Sequence, residues 1–358
     1  MTCVNIYTKG MDSANGCGFI IPLIINKKRL SDLGIKFRFF SEINKNIFEC
    51  DCLILDSKLF KYDWGIDKVE KTKDLFSSFK EKVKRLIFLD LSDSSSTIID
   101  DALEIVDIYL KSQIHRNMNL YLKPLYGRRV FTDYYHKQFK ISDKNYEEKI
   151  PVKNKDNLSK IRISWNSYYS NYSIYGDLKI QLYKLLPLNI LLSLPRQRVK
   201  KNQKNNDVSC RMGLQYSKET VAFQRKRISE ILKTSYDFSK ISKRMYYEEL
   251  KDSKILISPF GYGEINLKDF EAFLNGCILY KANMDHLDTW PNFYLKDKTY
   301  VDFKWNLKDF KNKLRHIIEN FEQYFELAHY ANNMYHSYLH EVKYQDEFCL
   351  RLKNILHN

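Results

Sequence analysis

A chain of 358 residues that is 44% hydrophobic and 15% aromatic has enough apolar material for sizeable cores, which excludes an intrinsically disordered protein. Lys and Arg exceed Asp and Glu by 59 − 44 = 15. That surplus suits an anionic partner (nucleic acid, an anionic membrane surface or a phosphorylated substrate), and it is equally what a Lys-, Asn-, Ile- and Tyr-rich composition leaves on an ordinary solvated surface. The amino terminus, MTCVNIYTKGMDS, lacks a charged-then-apolar leader layout, and the apolar run 19–25 contains Pro22 and is too short to span a bilayer. The seven cysteines (Cys3, Cys17, Cys50, Cys52, Cys210, Cys277, Cys349) follow no zinc spacing and read as thiols of a reducing compartment. The expectation is a cytoplasmic protein, with a peripheral place on the inner face of the cell membrane left open.

In chain order, residues 3–8 predict a short strand, followed by Gly10, Gly16 and Gly18. A helix is expected over 18–33, ending at Gly34, with Pro22 in its first turns. Strands follow at 35–40 and 50–55, a charged amphipathic helix at 68–84 and a strand at 85–91. This alternation predicts a parallel sheet covered by helices. Residues 141–160 are polar and Lys-rich and read as a surface excursion. The apolar run 180–194 precedes a basic, glycine-free linker at 196–207. A second series then begins: strand 207–211, helix 218–232, short helix 246–250, strand 254–258, helix 267–274, strand 278–280, and a helical tail from 307. The fold class expected is α/β, with two Rossmann-like lobes facing a cleft: 1–195, 205–310, and a tail, 311–358, packing back toward the first lobe.

The chain has 11 glycines, and three stand in SPFGYGEINLKDFEAFLNGCILYK, residues 258–281. Strand, Gly-rich turn and helix together offer backbone N–H groups at a helix N-terminus, where the amides and the dipole favour phosphate. Gly261 and Gly263 allow a ligand close to the backbone, with Tyr262, Glu264 and Ile265 completing the turn. Glu271, inside the helix, is placed either to accept the two hydroxyls of a ribose or to face solvent. Arg211, at the end of this lobe's first strand, with Arg225 or Arg227 beyond it, could neutralise a diphosphate.

The segments Gly261-Tyr-Gly-Glu264, Asp269-Phe-Glu271-Ala and Asn275-Gly-Cys277 resemble the carboxy-terminal lobe of GT-B-fold glycosyltransferases. Lys281, Met284-Asp-His286-Leu287 and Trp290-Pro291 bring the resemblance closer to bacterial enzymes of surface-polysaccharide clusters, lipopolysaccharide or capsule, and more distantly to exostosin-like enzymes. It covers roughly 205–310 and is loose over the amino-terminal half. Retaining members of the class commonly space two glutamates eight residues apart; Glu264 and Glu271 are seven apart, and Gly263 stands where the first would be. The resemblance implies a nucleotide-sugar donor bound through Gly261, Tyr262, Gly263, Glu264, Ile265, Glu271, Arg211 and Arg225. It also implies a glycan or lipid-linked acceptor on the other lobe, and no cofactor or essential metal.

Other constellations carry less. His329, His336 and His340 share a helical face by spacing, which suits a docked helix better than a metal. Asp12, in the loop after the first strand, is the candidate catalytic base, with a turn or cap role as the alternative; His136, in FTDYYH, is the runner-up. The run Trp165 to Tyr172 could stack on sugar rings or simply pack. No recognition helix, zinc finger or RNP-like motif points to nucleic acid, so none is expected as a partner. The competing class is a non-catalytic anion- or nucleic-acid-binding protein.

Overall fold

The computed structural model describes residues 1–169, 204–232 and 235–357. The apolar run 180–194 and the basic residues 196–203 lie outside them. In the first lobe, β1 (Thr2–Tyr7), β2 (Ile35–Phe40), β3 (Cys52–Asp56), β4 (Arg85–Asp90), β5 (Ile108–Lys111) and β7 (Ile161–Ile163) form one sheet in the order β2-β1-β3-β4-β5-β7. Every pairing in it is parallel. The near-continuous apolar runs of β3 and β4 follow from this, because both faces of the sheet are covered. In the second lobe, β8 (Asn206–Ser209), β9 (Ser253–Ser258), β10 (Ile278–Ala282) and β12 (Tyr300–Phe303) pair in parallel in the order β12-β10-β9-β8. The protein is thus α/β with two Rossmann-like lobes, as the alternation of elements predicts.

Helix boundaries differ from the sequence reading where caps decide them. The helix expected at 18–33 is two helices, α1 (Ala14–Ile25) and α2 (Lys27–Asp32). Ser13 starts α1 early by accepting from the Gly16 amide. Pro22 lies inside α1, and the chain breaks at Asn26, whose side-chain amide donates to the Pro22 carbonyl. The first lobe adds α3 (Val69–Lys80), α4 (Asp100–Ile105) and α5 (Val130–Phe139). The second adds α6 (Glu219–Leu232), α7 (Lys243–Asp252) and α8 (Leu267–Asn275), and the tail forms α9 (Phe310–Glu319), α10 (Phe321–His340) and α11 (Val342–His357).

The halves are joined by more than one connection. Strand β6 (Gln113–His115) of the first half pairs antiparallel with β11 (Leu287–Thr289) of the second. Helix α5 places Phe131 and Tyr135 in the core of the second lobe. Conversely, Phe348, Cys349, Leu352 and Leu356 of α11 pack with Val4, Ile6 and Phe19 of the first. The segment read as a surface excursion is an inter-lobe strap: the Asp143 carboxylate is buried and accepts from the Thr220 amide (2.8 Å) and hydroxyl (2.7 Å) at the start of α6. Trp165, Tyr168 and Tyr169 are buried, and Trp165 stacks on Phe19, so these three rings pack; residues 170–172 lie outside the described residues. His329 stacks on Phe325 and His336 on His340.

Candidate functional site

Parallel strands all point their carboxyl ends the same way, and the loops that follow them collect at one edge of each sheet. Here the two edges face each other. After β4 come Ser92 and Asp93, after β5 come Ser112 and Gln113, and Asn15 stands in the first turn of α1; these form one wall of a cleft of about 210 Å³. The other wall is the turn after β9, with Gly261, Tyr262, Gly263, Ile265 and Asn266, together with Tyr216.

The Gly-rich turn is held from behind. Asp269, fully buried on α8, accepts from the Asn266 amide (3.0 Å), the Ser258 hydroxyl (2.6 Å) and the Tyr294 hydroxyl (2.7 Å). Its charge is matched by Lys281, also fully buried, at 3.1 Å. Burial pulls the Lys281 ammonium below its usual range, and the Asp269 carboxylate opposes that. Such a pair is satisfied on all sides, and its role is to fix the turn and the helix start in one geometry.

Arg225, on α6, lies directly behind the turn and is 7% exposed. It donates to the carbonyls of Phe260 (2.7 Å), Gly213 (3.4 Å) and Pro259 (3.5 Å), and stacks over Tyr216. A Cβ on Gly261 would stand 3.3 Å from its guanidinium. Among the described residues its hydrogen bonds all go to carbonyls and none to a carboxylate, and burial lowers its pKa. Lys268, in the first turn of α8, has no ion pair within salt-bridge distance among the described residues either; burial lowers it to about 8, with Glu271 acting the other way. Two cations thus stand close to the Gly-rich turn and the start of α8, neither of them ion-paired among the described residues.

The remaining sequence candidates fall in different places. Arg211 is bidentate to Glu249 and also donates to Asp237, so its charge is neutralised within the lobe. Arg227 is exposed and paired with Glu230. Glu271 is 8% exposed, accepts from the Tyr246 hydroxyl at 2.9 Å, and has its carboxyl raised by burial. Tyr262 and Ile265 line the cleft, and Arg129 of the first half reaches across to the Tyr262 carbonyl. Asp12 is exposed in the loop before α1 and is not among the residues lining the cleft. The structure does not bring His136 there either: its ring stacks on Tyr126 at 3.7 Å and its Nδ1 bonds with the Ile141 carbonyl.

Glu264 and Gly263 have a role that local sequence does not display. Glu264 is fully buried and reaches the first lobe, where it accepts from the Ser95 amide (3.1 Å) and hydroxyl (2.6 Å). Burial raises its carboxyl, while the bonds from Ser95 and the charge of Arg129 oppose the rise. Gly263 lies so close to the first lobe that a Cβ would fall 2.0 Å from the Asp93 carbonyl oxygen. The close approach this glycine permits is to another backbone. Around the same junction His115 is buried and His286 half-buried, and each is lowered to about 3, chiefly by desolvation. Asp93 and Gln113 were not singled out from the sequence; the available signal was their position directly after strands β4 and β5.

Two Rossmann-like lobes whose strand ends face a shared cleft constitute a GT-B-like arrangement. No protein-family model matches this chain, and no curated protein sequence does. Among solved structures it is similar to Anabaena HepE in complex with UDP-glucose (9% identity, 99% of this chain and 100% of that one, TM-score 0.47). It is also similar to the catalytic domain of starch synthase IV from Arabidopsis thaliana bound to ADP and acarbose (10% identity, 100% of both chains, TM-score 0.48). MurG of Acinetobacter baumannii is a further similar structure (10% identity, 99% and 100% coverage, TM-score 0.36).

Proposed function

We propose that this protein is a glycosyltransferase that moves a sugar from a nucleotide-activated donor to a carbohydrate or lipid-linked acceptor, in the synthesis of a surface glycan such as lipopolysaccharide or capsule. One observation carries the reading. Arg225 stands behind the Gly-rich turn and Lys268 in the first turn of α8, and neither is ion-paired among the described residues. A buried cation without a counter-ion, as Arg225 is, is costly, and an anionic ligand relieves that cost. A diphosphate suits the site because its charge grows as the bond to the sugar breaks, so preorganised cations and amides favour the transition state over the ground state. Glu271, a turn further along α8, would receive the ribose. The acceptor would enter from the wall formed by Asn15, Ser112 and Gln113. Cytoplasmic placement, with a peripheral position on an anionic leaflet, would bring a lipid-linked acceptor within reach.

The test is calorimetry with a panel of nucleoside diphosphates, their nucleosides and the matching sugar nucleotides. Arg225→Ala is expected to weaken the diphosphates by about 10- to 100-fold, the weight of a charge-assisted hydrogen bond, and to leave the nucleosides unchanged. Equal losses for diphosphate and nucleoside would remove Arg225 from the site. Binding without any turnover of a sugar nucleotide would move the protein to the class of non-catalytic anion binders.

A further inference from the structure

The Gly-rich turn has a cation on one side and a carboxylate on the other. Arg225 lies against Gly261, and Asp93 lies against Gly263, where a glycine Cβ would meet the Asp93 Cβ at 3.0 Å. Asp93 is exposed and lines the cleft on the wall opposite the Gly-rich turn. Its position is fixed from several directions. The Asn15 side-chain amide donates to Oδ1 (2.7 Å) and also to the Leu91 carbonyl (2.9 Å), which orients the carboxylate. The Gln113 side-chain amide donates to the Asp93 carbonyl, which sets the backbone.

Gln113 braces Asp93 against the second lobe. It is 2% exposed and lines the same cleft. Its Nε2 faces two acceptors, the Asp93 carbonyl and the Glu264 carboxylate. The nitrogen is therefore fixed on that side, and Oε1 is left with no partner among the described residues.

We propose that Asp93 is the general base that takes the proton of the acceptor hydroxyl, its carboxylate oriented by Asn15 and its backbone set by Gln113. This rests on the sugar-transfer reading above. The acceptor oxygen forms a bond to the anomeric carbon, and the bond from that carbon to the diphosphate breaks. The electron pair leaves on the diphosphate, which meets Arg225 and Lys268. The hydroxyl proton goes to the Asp93 carboxylate and from there to solvent. A base on the wall opposite the leaving group requires inversion at the anomeric carbon.

Asp93→Asn retains an oxygen to accept from Asn15, so the variant is expected to fold. The probe is a panel of sugar nucleotides (UDP-glucose, UDP-N-acetylglucosamine and GDP-mannose) with water as the acceptor, alongside affinity for UDP and GDP. Asp93→Asn is expected to lower donor cleavage by roughly 10²–10⁴-fold while leaving diphosphate affinity unchanged. Azide needs no proton removed, so Asp93→Ala with added azide is expected to recover cleavage and give a glycosyl azide, which a merely structural role would not do. Cleavage by Asp93→Asn at the parent rate overturns the assignment, as does loss of affinity in step with rate, or no recovery with azide. A parent protein that binds neither diphosphate and cleaves no donor overturns the sugar-transfer reading, and this inference with it.

Discussion

Gly263→Ala tests whether the turn after β9 is a joint between the lobes. The new Cβ would lie 2.0 Å from the Asp93 carbonyl oxygen and 2.7 Å from its carbon. An unstrained carbon–oxygen contact is about 3.3–3.6 Å, so the backbones must separate by more than about 1 Å. Neither side gives easily, because Asp93 is held by Gln113 and the turn by Glu264. A shift of that size takes the Ser95 hydroxyl, now 2.6 Å from Glu264, out of hydrogen-bonding range. Losing that charge-assisted bond costs about 1.5–3 kcal/mol, and the strain of overpacking adds about 1–3 kcal/mol. At roughly 2 °C per kcal/mol for a chain of this size, the melting temperature should fall by about 5–12 °C. Gly65→Ala is the control, since Gly65 has nothing within 4 Å of its would-be Cβ. Melting is followed by circular dichroism on both variants. If Gly263→Ala melts within about 2 °C of the control, the close approach of the two backbones is not a feature of the protein in solution.

Glu271→Ala should weaken nucleotide binding by about 1.5–3 kcal/mol, read by calorimetry on folded protein; unchanged affinity removes the ribose contact. For Glu264, whose ordinary value is 4.5 and whose folded value is higher, the folded state holds the proton more tightly than the unfolded one. Its contribution is therefore most favourable below 4.5 and is lost as pH rises through the folded value, so Glu264→Gln should gain stability relative to the parent over that window in urea titrations. His286 has the opposite sign: lowered from 6.5 to about 3, it makes the parent lose stability as pH falls below 6.5, and His286→Leu should flatten that loss. If the surplus of 15 positive charges serves a membrane-bound acceptor, the protein should sediment with anionic but not neutral vesicles, and salt should release it; no preference leaves the charge as surface composition.

The alternation of strand and helix was legible in the sequence because it depends on local periodicity. The runs at 50–55, 85–91 and 254–258 are apolar on both faces, as strands inside a parallel sheet must be. The Gly-rich turn was legible for the same reason, and Gly261, Tyr262, Gly263 and Ile265 do line the cleft. Lys204, at the end of the basic run, shows where composition misleads: it is buried, and its ammonium donates to the Asn275 carbonyl at 2.8 Å.

Sequence alone determined two βα arrays and the position of the turn between β9 and α8, because propensity, patterning and turn chemistry act over a few residues. Only the tertiary structure decided which groups carry free charge. Arg211 and Arg225 are alike in sequence, yet the first is neutralised by Glu249 and Asp237, while the second hydrogen-bonds to carbonyls and stacks over Tyr216, with no carboxylate partner among the described residues. It also decided that Glu264 ties the lobes together and that Asp93 stands across from Arg225. Those contacts join residues far apart in the chain, and the energy of a charge depends on the neighbours it is buried with, which no local pattern records.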